Sequence, residues 1–195
     1  MTAAPTASAC RIDPTTGLLI GVRQVLSPHF DARPAGVTPD LIVIHGISLP
    51  PGEFATPWID RLFTGNLPRD AHPAFHDVAA LRVSAHALIR RDGPITQYVP
   101  FGKRAWHAGH SQYQGRNACN DFSIGIELEG TDQLPYTEAQ YESLRALVRA
   151  LLATYPSLSA ERIAGHSDIA PGRKTDPGPA FAWTQVRAAL GDAGK

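Results

Sequence analysis

Two segments of the chain carry the hydrophobic pattern of buried β-strands. Residues 41–45 are a short run of β-branched and other apolar residues that ends at His45, which predicts a strand opening into a loop. Residues 122–128 alternate between apolar and polar positions, as a strand does when its faces meet different surroundings. We expect Phe122, Ile124, Ile126 and Leu128 on one face and Ser123, Gly125, Glu127 and Glu129 on the other.

A β-hairpin is predicted between these two strands. Residues 82–91 alternate in hydrophobicity, Asp92 and Gly93 follow as a turn pair, and residues 94–100 supply the return strand. The preceding stretch, residues 46–80, is rich in Pro and Gly, which is typical of a long loop that binds a ligand.

Four further segments are predicted to be helices. Apolar residues at 58, 59, 62 and 63 predict one short helix, and a second is expected over residues 71–80. Residues 138–154 repeat apolar positions at intervals of three and four after the capping pair Thr137 and Gln140, which predicts an amphipathic helix. A closing helix is expected over residues 181–190, after a link at 159–164 and an irregular segment at 165–180.

Strands and helices alternate along the chain, and this order predicts an α/β fold: a central mixed β-sheet flanked by helices. A length of 195 residues suits one domain. The first residues are rich in Ala, Thr and Pro, so we expect residues 1–16 to be a flexible N-terminal tail and residues 17–195 to form the domain.

Composition excludes several classes of protein. Hydrophobic residues make up 43% of the chain and charged residues 18%, which is too apolar for a disordered chain. Eighteen basic residues balance eighteen acidic ones, so we expect no nucleic-acid partner. The sequence has no run of 18 apolar residues and no secretory signal, which favours a cytoplasmic protein with no membrane partner. No long apolar seam is left over, so a monomer is expected.

Three residues form a candidate metal site. His45 ends a predicted strand, and His166 and Asp176 lie in the irregular segment, whose prolines restrict its backbone. Two imidazoles and one carboxylate are a ligand set for Zn²⁺ with an open fourth position. The alternative is that the segment is an ordinary solvated loop. No His-Glu-x-x-His helix is present, so a common zinc protease is excluded.

Two charged residues are candidates for the chemistry beside such a metal. Glu127, on the polar face of its strand, is either a general base or a solvated edge residue. Lys174 is either a group that stabilises an oxyanion or a surface lysine. His86 is expected to be structural, and Cys119 has no cysteine-hydrolase signature around it.

The strings that contain these residues resemble the type 2 N-acetylmuramoyl-L-alanine amidases, above all those that act on 1,6-anhydro-muropeptides during cell-wall recycling. The resemblance implies a peptidoglycan-recognition-type fold, zinc bound by His45, His166 and Asp176, Glu127 as catalytic acid and base, and Lys174 as the group that steadies the transition state. The matching strings are IVIHGISLPPGEF (42–54), VSAHALIRRDG (83–93), QYVPFGKRAWHAG (97–109), SQYQGR (111–116), CNDFSIGIELEGTD (119–132) and GHSDIAPGRKTDPGPAF (165–181).

The resemblance also implies a substrate and its contacts. Trp106 and Arg82 fall where the family shapes its groove, as a stacking face for a sugar and a grip for a carboxylate, and His107 is expected to contact substrate as well. The implied reaction hydrolyses the amide bond between N-acetylmuramic acid, with or without the 1,6-anhydro ring, and L-alanine. Gly46 and Ala118 stand where the family often has Asn and Arg. The alternatives are a non-catalytic module that binds peptidoglycan fragments and a regulator that sequesters them.

Overall fold

A mixed sheet of six strands forms the centre of the computed structural model, which describes residues 10–191. Along the chain the strands are β1 (Ile12–Asp13), β2 (Leu18–Leu19), β3 (Arg23–Gln24), β4 (Phe30–Asp31), β5 (Leu41–Ile47), β6 (Ala87–Ile89), β7 (Ile95–Gln97), β8 (Arg104–Ala105), β9 (Gln112–Tyr113), β10 (Arg116–Asn117), β11 (Ser123–Glu129) and β12 (Ile163–Gly165). The helices are α1 (Trp58–Phe63), α2 (Glu138–Thr154), α3 (His166–Ile169) and α4 (Trp183–Gly191), and 3-10 turns lie at Arg69–Ala71, Pro73–Phe75 and Cys119–Asp121.

The strand order in the central sheet is β12-β5-β11-β6-β7-β3. β5 pairs with β11 in parallel along its whole length, and β12 and β6 continue the parallel part on either side. β7 returns antiparallel to β6, which confirms the predicted hairpin. The carboxyl ends of β5, β11 and β12 therefore meet at one edge, where sheets of this kind place functional residues.

The two faces of the sheet bury different side chains. One face, which includes Ile44 and Ile126, packs against the apolar side of α2 in the largest core cluster. Successive side chains of a strand point to opposite faces, so Val43 and His45 lie on the face away from α2. Val43 packs there in a smaller cluster with Phe122. The mixed sheet with helices around it confirms the predicted fold class.

Helix α2 begins and ends where the spacing predicts. The Thr137 hydroxyl accepts a hydrogen bond from the Gln140 backbone N–H at 3.2 Å, and the Gln140 side chain accepts one from the Thr137 N–H at 3.1 Å. This capping box satisfies two of the amides that the first turn of a helix leaves free. The predicted helices around residues 58–63 and 181–190 are present as α1 and α4.

The prediction of a helix over residues 71–80 is wrong. Two short 3-10 turns lie in this region instead, and His72 between them is extended, with a φ of −157°. The cause is Pro73, because a proline disfavours the helical conformation of the residue before it. Within residues 10–191, no helix is both long and apolar enough to cross a membrane.

Two predicted boundaries also need correction. The expected link at 159–164 contains the start of β12, a strand too short to show alternation, and the segment predicted as irregular contains the last residue of β12 and then α3. The predicted tail is too long at its C-terminal end, because β1 pairs with β2 and Ile12 packs into the core. Residues 1–9 of that tail lie outside the described residues.

Candidate active site

The side chains of His45, His166 and Asp176 converge on one point at the carboxyl edge of the sheet. The Nδ1 atoms of His45 and His166 are 2.9 Å apart. Asp176 Oδ2 lies 3.2 Å from His45 Nδ1 and 3.1 Å from His166 Nδ1. β12 pairs with β5, so the first residue after β12, His166, is brought beside His45. The structure thus brings together all three predicted ligands, which are separated by up to 131 positions in the sequence.

The chemistry of this cluster fits a zinc ion. Each of the three atoms can offer an electron pair once it carries no proton, and a bound cation would accept all three pairs and remove the repulsion between them. Tetrahedral zinc with bonds of about 2.0–2.1 Å needs donor atoms about 3.3 Å apart, close to the separations seen here. Nitrogen and oxygen donors in this combination are preferred by Zn²⁺.

The electrostatics of two ligands favour the forms that bind a metal. Burial is the main cause that holds the pKa of His45 down to about 4, against an opposing hydrogen bond to Asp176. Burial by itself raises the pKa of Asp176, but hydrogen bonds with His166 and His45 outweigh it and hold that pKa well below its usual range. A neutral imidazole and an ionised carboxylate are the ligating forms at neutral pH.

Backbone contacts hold the loop that carries Asp176 against α3. The Ser167 N–H donates to the Asp176 carbonyl at 2.9 Å. The Gly165 N–H donates to Asp168 Oδ2 at 2.7 Å, so this nearby carboxylate supports the start of the helix and is not part of the three-residue cluster.

Glu127 lies in β11 directly beside His45 of β5. All seven residues of β11 are buried, so the interpretation of Glu127 as a solvated edge residue is wrong. Its Oε2 atom is buried and has no hydrogen-bond partner among residues 10–191. Burial raises the pKa of Glu127 well above its usual value, the charge of Asp176 adds to this shift, and Lys174 opposes it. A buried carboxyl group with a raised pKa is suited to exchange protons near neutral pH.

Lys174 is exposed, two residues before Asp176. Its positive charge is close enough to lower the pKa of Glu127 and, after the larger effect of burial, that of His45. It therefore adds positive potential to the site without being buried in it.

Comparison of the sequence with known proteins identifies the family of this chain. Residues 35–179, most of the chain, match the family model described as N-acetylmuramoyl-L-alanine amidase. The chain belongs to this amidase family. The amidase is 66% identical to the 1,6-anhydro-N-acetylmuramyl-L-alanine amidase AmpD of Escherichia coli strain K12, over 88% of this chain and 93% of that relative.

Solved structures of amidases agree with this assignment. A crystal structure of a selenomethionine derivative of AmpD is 61% identical and superposes with a TM-score of 0.89, covering 92% of this chain and 98% of that chain. AmiD from E. coli, in complex with the substrate anhydro-N-acetylmuramic acid-L-Ala-D-gamma-Glu-L-Lys, is 30% identical with a TM-score of 0.58, covering 80% of this chain and 60% of that chain.

The three predicted substrate contacts of the amidase lie in two different places: Arg82 and Trp106 contact one another, and His107 lies beside the candidate metal site. The exposed Arg82 guanidinium lies over the Trp106 ring, 5.7 Å from its centroid, and the His29 ring is stacked on the same indole with centroids 6.2 Å apart. The role of this pair in substrate binding stays a prediction. His107 lies beneath His45, and its two ring nitrogens bond to His45 and Ser123. The prediction that His107 contacts substrate therefore finds no support in this geometry, because neither ring nitrogen remains free.

Three residues that support the site of the amidase are not indicated by any pattern in the sequence. Asn120 Oδ1 accepts hydrogen bonds from the backbone N–H groups of residues 107 and 108. The Arg173 guanidinium donates to the Ala108 carbonyl, which is also 3.3 Å from His166 Nε2. The Tyr136 hydroxyl donates to the Pro177 carbonyl, next to Asp176. These contacts join distant parts of the chain, and no local spacing indicates them.

Proposed function

We propose that the chain is a zinc-dependent amidase that hydrolyses the bond between 1,6-anhydro-N-acetylmuramic acid and L-alanine and so releases stem peptide in cell-wall recycling. The observation that carries the proposal is the buried Glu127 Oε2 atom, which has no hydrogen-bond partner among residues 10–191, beside three convergent metal-ligand atoms. The substrate is supported by the names of the AmpD relatives and by the ligand in the AmiD complex.

Each residue of the site has a role in this proposal. His45, His166 and Asp176 would hold the zinc ion, which when bound polarises a carbonyl group and activates water. Glu127 takes a proton from the attacking water and passes it to the leaving nitrogen of L-alanine. Lys174 stabilises the negative charge that develops on the carbonyl oxygen.

Arg82 and Trp106 would form the substrate groove. An aromatic face can stack on a sugar ring, and an exposed guanidinium can bind a carboxylate of the stem peptide through paired hydrogen bonds. The cation–π contact keeps the two side chains beside one another, and substrate would displace the guanidinium from the ring when the sugar stacks there. We therefore assign substrate binding, and not chemistry, to this pair.

The working state of the enzyme is also part of the proposal. We propose a cytoplasmic monomer that acts on soluble muropeptides and has no nucleic-acid or membrane partner. The support is the family resemblance and a net charge of zero, which provides no field to attract a phosphate backbone. Sedimentation of the purified protein tests the monomer, and cell fractionation tests the location.

A paired measurement tests the proposed reaction. Zinc is quantified in the purified protein, and tripeptide release from anhydro-muramyl-tripeptide is followed with and without a chelator. The proposal expects about one zinc ion per chain and release that the chelator abolishes and added zinc restores. Zinc together with tight substrate binding but no release would instead indicate a non-catalytic binding module. A folded protein without zinc would contradict the assigned ligands.

A further inference from the structure

A chain of three side chains leads from the candidate metal site into the protein. His45 presents Nδ1 to the other ligands, and its second nitrogen, Nε2, lies 2.8 Å from His107 Nδ1. His107 Nε2 lies 3.1 Å from the hydroxyl oxygen of Ser123. The rings of His45 and His107 meet edge to face, with centroids 4.9 Å apart and planes at 89°.

Only one arrangement of protons satisfies this chain when His45 binds a metal. Nδ1 of His45 must then carry no proton, so the proton is on Nε2 and donates to His107 Nδ1. His107 consequently carries its own proton on Nε2, which donates to Ser123 Oγ. One ring thus determines the tautomer of the other.

The backbone of β11 leaves space for this arrangement. His107 lies directly over Gly125, and a Cβ atom at that position would come within 2.5 Å of His107 Nδ1. Real Cβ contacts are not so short, so any other residue at 125 would displace the imidazole. Gly125 lies on the face of β11 that points away from α2, and the absence of a side chain there lets the His107 ring reach His45.

The same short segment supports the second ligand histidine. The Ala108 carbonyl lies 3.3 Å from His166 Nε2, and Asn120 Oδ1 binds the N–H groups of both His107 and Ala108. Residues 107 and 108 thus provide the outer partners of both imidazole ligands. A backbone carbonyl is a common partner for a ligating histidine, and the imidazole under His45 performs the same task.

We propose that His107 is a positioning residue that fixes the tautomer and ring orientation of His45 for metal binding, with Ser123 and Gly125 holding His107 in place. The inference rests on the proposed metal site. It assigns no contact between His107 and substrate or the reacting atoms.

Two substitutions at position 107 separate this role from general packing. His107→Asn places its Oδ1 atom where the ring has Nδ1, so it can still accept a hydrogen bond from His45. His107→Leu fills similar space but offers no acceptor. The matched control is His86→Gln: His86 is buried, accepts the Gly125 N–H and bonds to the Lys103 carbonyl, and its ring meets that of His107 edge to face, but it bonds to no ligand residue. It therefore measures the effect of disturbed packing around His107 while the acceptor for His45 stays in place.

Zinc affinity is measured by competition with a chromophoric chelator at fixed pH, without reference to activity. We expect the dissociation constant to rise about 10–100-fold in His107→Leu. His107→Asn should retain most of the affinity, and His86→Gln should retain wild-type affinity whatever its thermal stability. In the zinc-loaded protein, the ¹⁵N–¹H signal of the His45 Nε2 proton should persist in the wild type and the Asn variant and disappear in the Leu variant.

The results that overturn the inference differ from those that overturn the proposed function. Equal zinc affinity in the wild type and His107→Leu would refute the positioning role and leave the amidase proposal intact. Equal losses in the Asn, Leu and His86 variants would show a general packing effect and would also refute it. A wild-type chain that binds no zinc at all would refute the proposed function, and the inference with it.

Discussion

Glu127 of β11 and His45 of β5 are direct partners in the parallel pairing of the two strands. Their side chains therefore leave the sheet on the same face, next to one another. Both are buried, but His45 has hydrogen-bond partners at both ring nitrogens, whereas Glu127 Oε2 has none among the described residues. Burying a carboxyl oxygen without a hydrogen-bond partner costs stability, and this observation supports the proposed role of Glu127 in the reaction.

Replacing this carboxyl group should separate activity from stability. We expect Glu127→Gln to lower kcat about 10²–10⁴-fold, because the amide cannot transfer the proton. Zinc content should be unchanged, and the midpoint of thermal unfolding should not fall, since the charge that burial disfavours has been removed. Steady-state hydrolysis of a muramyl tripeptide, metal analysis and thermal unfolding measure the three quantities.

Glu129 provides the matched control on the same strand and the same face. It is buried like Glu127, but its Oε1 atom is 2.8 Å from the Arg90 guanidinium and also accepts the Ala55 N–H. Glu129→Gln should therefore lower the free energy of unfolding by about 2 kcal/mol and leave kcat near the wild-type value. The reverse pattern, with kcat lost at 129 and retained at 127, would contradict the assignment of the acid and base.

Lys174 should affect the reaction without affecting the fold. Its side chain is exposed, and its charge acts on Glu127 and His45 through space. We expect Lys174→Met to lower kcat about 10²–10³-fold, as the loss of an oxyanion-stabilising group does, with little change in zinc content. Lys103→Met, at another exposed lysine, is the control and should have wild-type kinetics. If the two variants behaved alike, Lys174 would be a surface lysine.

The elements that could be predicted from the sequence are those whose pattern is long enough to be read. α2 has seventeen residues and a capping box, and burial on one side imposes a clear helical period on it. β5 and β11 have seven residues each, and a continuous apolar run marks the first and alternation marks the second. β12 has three residues and obtains its conformation from pairing with β5, so no local pattern marks it. The missing helix over 71–80 is the opposite error, because Pro73 disfavours the helical conformation of the residue before it.

The residues of the candidate site also fall into those that could be predicted from the sequence and those that could not. The metal ligands and Glu127 belong to residue types whose chemistry suggests a role before any contact is known. The position of His107 beneath His45 depends on a hydrogen bond between residues 62 positions apart, and only the assembled fold creates it. One local sign of this arrangement is Gly125, a residue without a side chain in an otherwise filled alternating strand.

His86 should make the free energy of unfolding depend on pH. Burial, with the charge of Arg33 as the next cause, lowers the pKa of His86 to about 3, whereas an unfolded histidine titrates near 6.5. Below pH 6.5 the unfolded chain therefore takes up a proton that the folded chain does not. This favours unfolding by about 1.4 kcal/mol for each pH unit, down toward pH 3.

A variant without this imidazole isolates the effect from other histidines. His86→Gln loses the titration, so the difference in unfolding free energy between wild type and variant should shrink by about 2 kcal/mol from pH 6.5 to pH 4.5. Chemical denaturation at three pH values across this window measures it. Parallel curves for the two proteins would mean that His86 takes up a proton in the folded state as readily as in the unfolded chain.

Gly46 and Tyr136 should be energetically coupled. Gly46 follows His45, and a Cβ atom there would overlap the Tyr136 hydroxyl oxygen, while the ring carbon Cζ would be 3.6 Å away. Gly46→Ala should therefore cost about 1–3 kcal/mol of unfolding free energy, as overpacking does. Tyr136→Phe should cost about 1 kcal/mol by itself, because it removes the hydrogen bond to the Pro177 carbonyl.

The double variant tests this coupling, because it removes the overlapping atom. Gly46→Ala should cost much less in the Tyr136→Phe background than in the wild type, which gives a coupling energy of about 1–2 kcal/mol in a denaturation cycle. Gly102→Ala is the matched control, since a Cβ atom there meets nothing within 4 Å and should be additive with Tyr136→Phe. If the Gly46 and Tyr136 substitutions were also additive, overlap with the hydroxyl group would not be the reason that a side chain is disfavoured at position 46.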